Sequence, residues 1–214
     1  MQSDIRLEIY ADPICPWCLI GKAWLDRALE GAANHPFAVE WHPFQLNPDM
    51  PPGGMDRVAY LEAKFDGQMN AAHALRPVLE AAEAAGVPLN LPAIERTPNT
   101  LDAHRVIHWA GLEGRQTPVM AALMRGYFSE GRDLGDATTL ADIAGRAGMD
   151  RALVARLLAS DADRAEIAGR DAAARARGIT AVPTFIVAGT YVLTGAQPVA
   201  LWRQVLAELA ERGA

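Results

Sequence analysis

A chain of 214 residues, half of them hydrophobic, can bury a full core as one domain or as one domain carrying a large insertion. A formal net charge of −6 excludes a protein built to hold nucleic acid or an anionic membrane surface by charge. No window approaches the ~20 apolar residues that cross a bilayer, and the opening MQSDIRLEIYADP lacks the basic start and unbroken apolar run of a secretory signal. The expected setting is therefore cytoplasmic, where a stable structural disulfide is rare and a reactive one is plausible.

The first predicted element is a strand over IRLEIY (5–10), whose alternation puts Ile5, Leu7 and Ile9 on one face. A short connection follows, and then a helix-like apolar distribution of Leu19, Ala23, Trp24, Leu25 and Leu29 that ends near Gly31. Both cysteines of the chain lie at this junction, in DPICPWC. Two cysteines placed at random would fall three apart only about one time in a hundred, so the spacing carries meaning. Pro16 suits the first helical position, where its missing N–H costs nothing. Cys15 is then the N-cap and Cys18 the third residue of the first turn. A sulfur at Cys15 would face unpaired backbone N–H groups and the positive end of the helix dipole, both of which favour the nucleophilic thiolate. Cys15 is expected to be the exposed attacker and Cys18 the resolving thiol. Pro16 and Trp17 add no positive charge; Trp17 is either an aromatic beside a substrate groove or a packing residue, with the groove reading ahead.

FAVEWHPFQL (37–46) reads as a second strand, closed by the turn-like NPDMPPGG. From there to about residue 177 the sequence is alanine-rich and helical in period, broken at GVPLNLP, GLEGRQTP and GRDLGDATT. DATTLADIAGRAG and DRALVARLLAS read as consecutive short helices, capped by Thr138 or Thr139 and by Asp150. His104 and His108 have the i, i+4 spacing that places two imidazoles on one helix face, but no glutamate follows His104 to make HExxH. A zinc site with the two cysteines would need both histidines or carboxylates, so packed or surface histidines are the expectation and no metal is assigned. Strand signals return at VPTFIVAGTYVLTG (182–195), where Phe185–Val187 and Tyr191–Leu193 flank a glycine-containing turn as a β-hairpin. The last segment puts Trp202, Val205, Leu206 and Leu209 on one helix face, with Pro198 near its start and Gly213 near its end. The predicted class is α/β: strand, CxxC helix, strand, long helical block, hairpin, helix.

This series of motifs resembles the thioredoxin-fold oxidoreductases of the DsbA superfamily, and within it the FrnE-like branch. The residues that carry the resemblance are ADPICPWCLIGK (11–22), FQLNPDMP (44–51), PNTLDAHR (98–105), YFSEGRDLGD (127–136), GITAVPTFIV (178–187) and GAQP (195–198). The resemblance implies a thioredoxin-like domain from 1–48 and 168–214, with an all-helical domain, 49–167, inserted between the second strand and the C-terminal hairpin. It implies that Pro183 is the cis-proline placed across from the cysteines and that the backbone of Val182 pairs with bound substrate. Asn99, Thr100 and His104 match an insert motif near the groove, where helix capping and packing are equally credible roles.

The implied activity is thiol–disulfide exchange on a protein or small-molecule thiol or disulfide, with no tightly bound cofactor and glutathione as a possible co-substrate. Neither a monomer nor a homodimer is specified. Relatives of this branch include 2-hydroxychromene-2-carboxylate isomerase and kappa-class glutathione transferases, a glutathione-dependent alternative. In those, serine usually stands where this chain has Cys15, and the second cysteine is generally absent. Some FrnE-like proteins carry a further cysteine pair toward the C-terminus; this chain has none, so electrons would pass directly to an external partner.

Overall fold

The computed structural model describes residues 5–30 and 35–213. The expected helix end near Gly31 lies outside them. Strand β1 (Ile5–Ala11) is central in a four-stranded sheet of order β2-β1-β5-β6, with β2 spanning Phe37–Pro43, β5 Thr184–Val187 and β6 Tyr191–Thr194. β2 runs parallel to β1, with Ile9 opposite Trp41, and β5 runs antiparallel, with Ile9 opposite Phe185. A central strand covered on both faces must be apolar on both faces near its middle, and residues 7–11 are all buried. The alternation of Ile5, Leu7 and Ile9 therefore describes only one of two buried faces.

Helix α1 (Pro16–Glu30) leaves the end of β1 after a four-residue connection and packs with the C-terminal helix, Val199–Gly213. Trp202 from that last helix is fully buried between Phe37 and Phe185, meeting both rings edge-on at centroid distances of 6.4 and 4.9 Å. Such aromatic pairs add to the area they bury.

Between β2 and β5 the chain forms α2 (Arg57–Phe65), α3 (Gln68–Ala85), α4 (Leu101–Leu112), α5 (Gln116–Phe128), α6 (Ala137–Arg146), α7 (Arg151–Leu158) and α8 (Arg164–Ala176). The insertion is thus helical, apart from a two-residue ladder pairing β3 (Met55–Asp56) with β4 (Arg96–Thr97) and a 3₁₀ turn at Leu91–Ala93. The C-terminal helix, α9, completes the order. The α6 cap is Asp136, which accepts from the Thr138 and Thr139 amides, rather than either threonine; a carboxylate reaches both amides where a hydroxyl reaches one. Asp150 caps α7 through the Leu153 amide.

The boundary placed at 167/168 falls inside α8, which contacts both α4 and β2 and so belongs as much to the sheet as to the insertion. The charged run DADRAEIAGRD hides that helix start: Asp163 precedes it in the left-handed region at φ 57° and makes no side-chain cap. Arg105 of α4 is fully buried and holds the turn between α7 and α8. Its guanidinium donates to the carbonyls of Leu157, Ser160 and Ala162 at 2.7–2.8 Å and to Asp102 at 2.8 Å.

Candidate active site

The β1–α1 junction places the two thiols. Pro16 opens α1, so Cys15 is the cap: its carbonyl accepts from the amides of Cys18 (3.1 Å) and Leu19 (3.2 Å). Both cysteines are free thiols and both are buried. Cys15 is only 3% exposed, which corrects the expectation of an exposed attacker. Its sulfur donates to the Val182 carbonyl at 3.7 Å, under a loop whose Val182–Pro183 peptide bond is cis. Gly21, six residues further along α1, allows this approach. A Cβ there would sit 3.1 Å from Pro183 Cγ and 3.3 Å from Ala196 Cα.

Cys18 lies one turn inward. Burial pushes its thiol well above the ordinary range, and its hydrogen bond with Cys15 and the nearby Cys15 charge push the same way; a hydrogen bond with the Asp12 backbone opposes them. At neutral pH Cys18 is therefore held as the protonated partner.

A cavity of about 400 Å³ opens over Cys15. Cys15, Pro16 and Trp17 line one side, with Val182 opposite, and helices α2 and α3 of the insertion supply the far wall. Trp17 is half-buried: it packs against both apolar clusters of the core and also borders the cavity. Pro183 does not line the cavity; it is buried behind Val182.

Asn99, Thr100 and His104 do not line the cavity either; Thr97 does. Asn99 caps α4 by accepting from the Leu101 amide at 3.0 Å and donates to the Met50 carbonyl at 2.7 Å. Thr100 and His104 are buried on an unforeseen residue, Asp12. The Asp12 carboxyl accepts from the amides of Leu46 (2.7 Å) and Ile14 (3.3 Å) and from the Thr100 hydroxyl (3.2 Å). Its complete burial outweighs these donors and raises it to about 7. His104 Nε2 stands 3.9 Å from Asp12 and has no hydrogen-bond partner. Burial, with the Arg170 charge adding to it, lowers His104 to about 3, so the imidazole is neutral and the pair is not a salt bridge.

His108 shares the α4 face with His104 but turns toward α8, where its Nδ1 contacts Arg170 at 3.1 Å. The two histidines therefore share no site with the cysteines. Asp163 and Glu166 approach His108 closely enough to frame a cation, yet the Arg170 guanidinium already occupies one imidazole nitrogen. Among the described residues no helix is long and apolar enough to cross a membrane.

YwbO of Bacillus subtilis (strain 168) is 29% identical over 192 residues, 88% of this chain and 89% of its own length. The probable DsbA oxidoreductase SCO1869 from Streptomyces coelicolor superposes with a TM-score of 0.84 at 30% identity, covering 97% of this chain and 90% of that one. A 2-hydroxychromene-2-carboxylate isomerase shares the architecture at a TM-score of 0.73 over 97% of both chains, but at 14% identity it speaks to the fold alone. A family model, the DSBA-like thioredoxin domain, matches residues 6–207, from the central strand to the last helix; this chain belongs to that family.

Proposed function

We propose that the protein is a thiol–disulfide oxidoreductase working through Cys15 and Cys18. The observation that carries this reading is the asymmetry of the pair. Cys15 caps α1 at the floor of a cavity, while Cys18 is fully buried behind it with its thiol held protonated. An isomerase that only binds a thiol has no use for the second sulfur.

In the reducing direction the Cys15 thiolate attacks one sulfur of a substrate disulfide and the other sulfur leaves as a thiolate. Cys18 then loses its proton and attacks the Cys15 sulfur, closing the Cys15–Cys18 bond and releasing the second substrate thiolate. Two electrons pass from the protein to the substrate. In the oxidising direction the same steps run backward, with a substrate thiolate attacking Cys15, and the redox poise of the surroundings sets which direction prevails. The Val182 backbone, which meets the Cys15 sulfur in the free protein, is the strand edge offered to a bound substrate, and glutathione is the co-substrate that would recycle the pair.

The test is a redox equilibrium in glutathione buffers, trapped with a thiol-alkylating mass label. A reversible two-label transition supports the reading. A pair that never closes, or Cys15 found only as a glutathione adduct, refutes it.

A further inference from the structure

The cavity over Cys15 has a chemical character that disulfide exchange alone does not require. Its body is apolar: Ile14, Leu46, Leu61, Phe65, Leu75 and Val78 line it. Two cations stand at its wall, Arg57 and Lys64, a little under two turns apart on α2. Among the described residues neither pairs with a carboxylate. Arg57 Nη1 donates to the Tyr127 hydroxyl at 3.1 Å, and Lys64 Nζ to the Tyr60 hydroxyl at 2.6 Å. Both phenols are anchored in turn, Tyr127 on the Arg96 carbonyl and Tyr60 on Asn47. The Tyr127 phenol is pushed up to about 12, chiefly by burial, and so remains neutral. The Tyr127 phenol therefore holds half-buried Arg57 without neutralising it, while exposed Lys64 rests on the Tyr60 hydroxyl at the cavity's rim. In a chain of net charge −6, two cations without a carboxylate partner among the described residues thus border the cavity that holds Cys15, a setting that favours an anion.

Resting on the exchange reading above, we propose that this cavity selects small thiols and disulfides that carry an anionic group, such as a carboxylate, on an apolar body. The apolar body packs between α2, α3 and Trp17, the anion meets Arg57 and Lys64, and the sulfur reaches Cys15. A volume of about 400 Å³ is that of a small-molecule pocket.

The test uses the reduced protein and two aromatic disulfides: dianionic 5,5′-dithiobis(2-nitrobenzoate) and neutral 2,2′-dithiodipyridine. With either, Cys15 displaces one aryl group and Cys18 the second; closure releases two thionitrobenzoate thiolates and two protons from the dianionic probe, or two 2-thiopyridones, which carry those two protons on their ring nitrogens, from the neutral one. Each rate is divided by that of 2-mercaptoethanol with the same probe. We expect the dianion-to-neutral ratio to exceed unity by about tenfold at low ionic strength and to fall with added salt. It should fall by a similar factor in the Arg57→Gln/Lys64→Gln double variant and be kept by Arg57→Lys/Lys64→Arg. A ratio at or below unity in the unmodified protein, with no salt dependence, overturns the proposal whatever the variants do. Closure with both probes at charge-independent rates leaves the exchange reading standing and removes this inference alone. Closure with neither removes the exchange reading, and this inference with it.

Discussion

Replacing Asp12 with asparagine tests the buried cluster beneath the thiols. The folded protein holds the Asp12 carboxyl near 7 against an ordinary value of 3.8. Between about pH 4 and pH 7 the folded state therefore keeps a proton that the unfolded chain has lost. Stability from this group is fully present below pH 4 and is lost as pH rises through 7. A shift of about three units corresponds to about 4 kcal/mol, of which about 3 kcal/mol falls between pH 4.5 and 7.5. His104, lowered to about 3, acts with the opposite sign: its contribution is complete above 6.5 and is lost as pH falls toward 3. The two slopes oppose each other from about pH 4 to 6.5. Asp12→Asn removes only the first, because its amide oxygen can still accept from Leu46 and Thr100 while its amide nitrogen faces the unpartnered His104 Nε2. The Ile14 amide loses its acceptor, a constant cost of about 1 kcal/mol. Urea unfolding of the reduced proteins at pH 4.5, 5.5, 6.5 and 7.5 should show the variant gaining about 3 kcal/mol on the wild type across the series. A difference that stays flat within about 0.5 kcal/mol would refute a carboxyl raised by burial.

Three further outcomes are expected. Cys18→Ser should accumulate a mixed disulfide between Cys15 and a substrate thiol, seen as one added mass on non-reducing mass spectrometry, while Cys15→Ser should accumulate little; equal adduct in the two variants would count against the assigned roles. Arg105→Leu strands the carbonyls of Leu157, Ser160 and Ala162 and should cost about 3–5 kcal/mol in urea, where a loss below about 1 kcal/mol would show that water replaces the guanidinium. Gly21→Val pushes α1 off Pro183 and Ala196 and should cost about 2 kcal/mol by thermal unfolding, more than its helix propensity returns; an unchanged Tm would mean that the loop yields freely.

The sequence was most legible where function and local geometry share a few adjacent residues. DPICPWC placed Cys15 at a helix cap because Pro16 can occupy N1 and little else there would cap. VPTFIVAGTYVLTG declared its hairpin by strand propensity and a glycine-containing turn. The cavity was not legible in this way. Arg57, Tyr60 and Lys64 read as the polar side of an ordinary amphipathic helix, since α2 contains no fully buried residue at all. Only the folding of α2 over the end of β1 turns that side toward Cys15. Tyr127 lies on α5, far along the chain, and nothing local marks it as a partner of Arg57. The one available signal was in the quoted motif: an aspartate two positions before Ile14, inside an otherwise apolar junction, is a charge whose burial needs donors.

Those donors explain why the insertion sits where it does. Asp12 ends the run leaving β1, Leu46 lies beyond the end of β2, and Thr100 opens α4, so one carboxyl joins both halves of the sheet domain's edge to the first helix that packs against it. Gln45 repeats the device one residue earlier, its amide donating at 2.8 Å to buried Asp171 of α8. Two adjacent backbone amides are thus satisfied by carboxyl groups from different elements; the Gln45 bond needs α8 in place, and the Thr100 hydroxyl of α4 seats on the same Asp12 oxygen that accepts from Leu46. The arrangement ties the floor of the cavity, which holds Cys15, to the insertion that bears the cavity's cationic wall. Local loosening of α4 or α8 would thereby disturb the thiols before it disturbed the sheet, and hydrogen exchange of the Gln45 and Leu46 amides reports on that linkage directly. In wild type both should exchange together with the α4 and α8 core amides, and in Asp12→Asn the pair should remain protected, because the amide oxygen still accepts from Leu46.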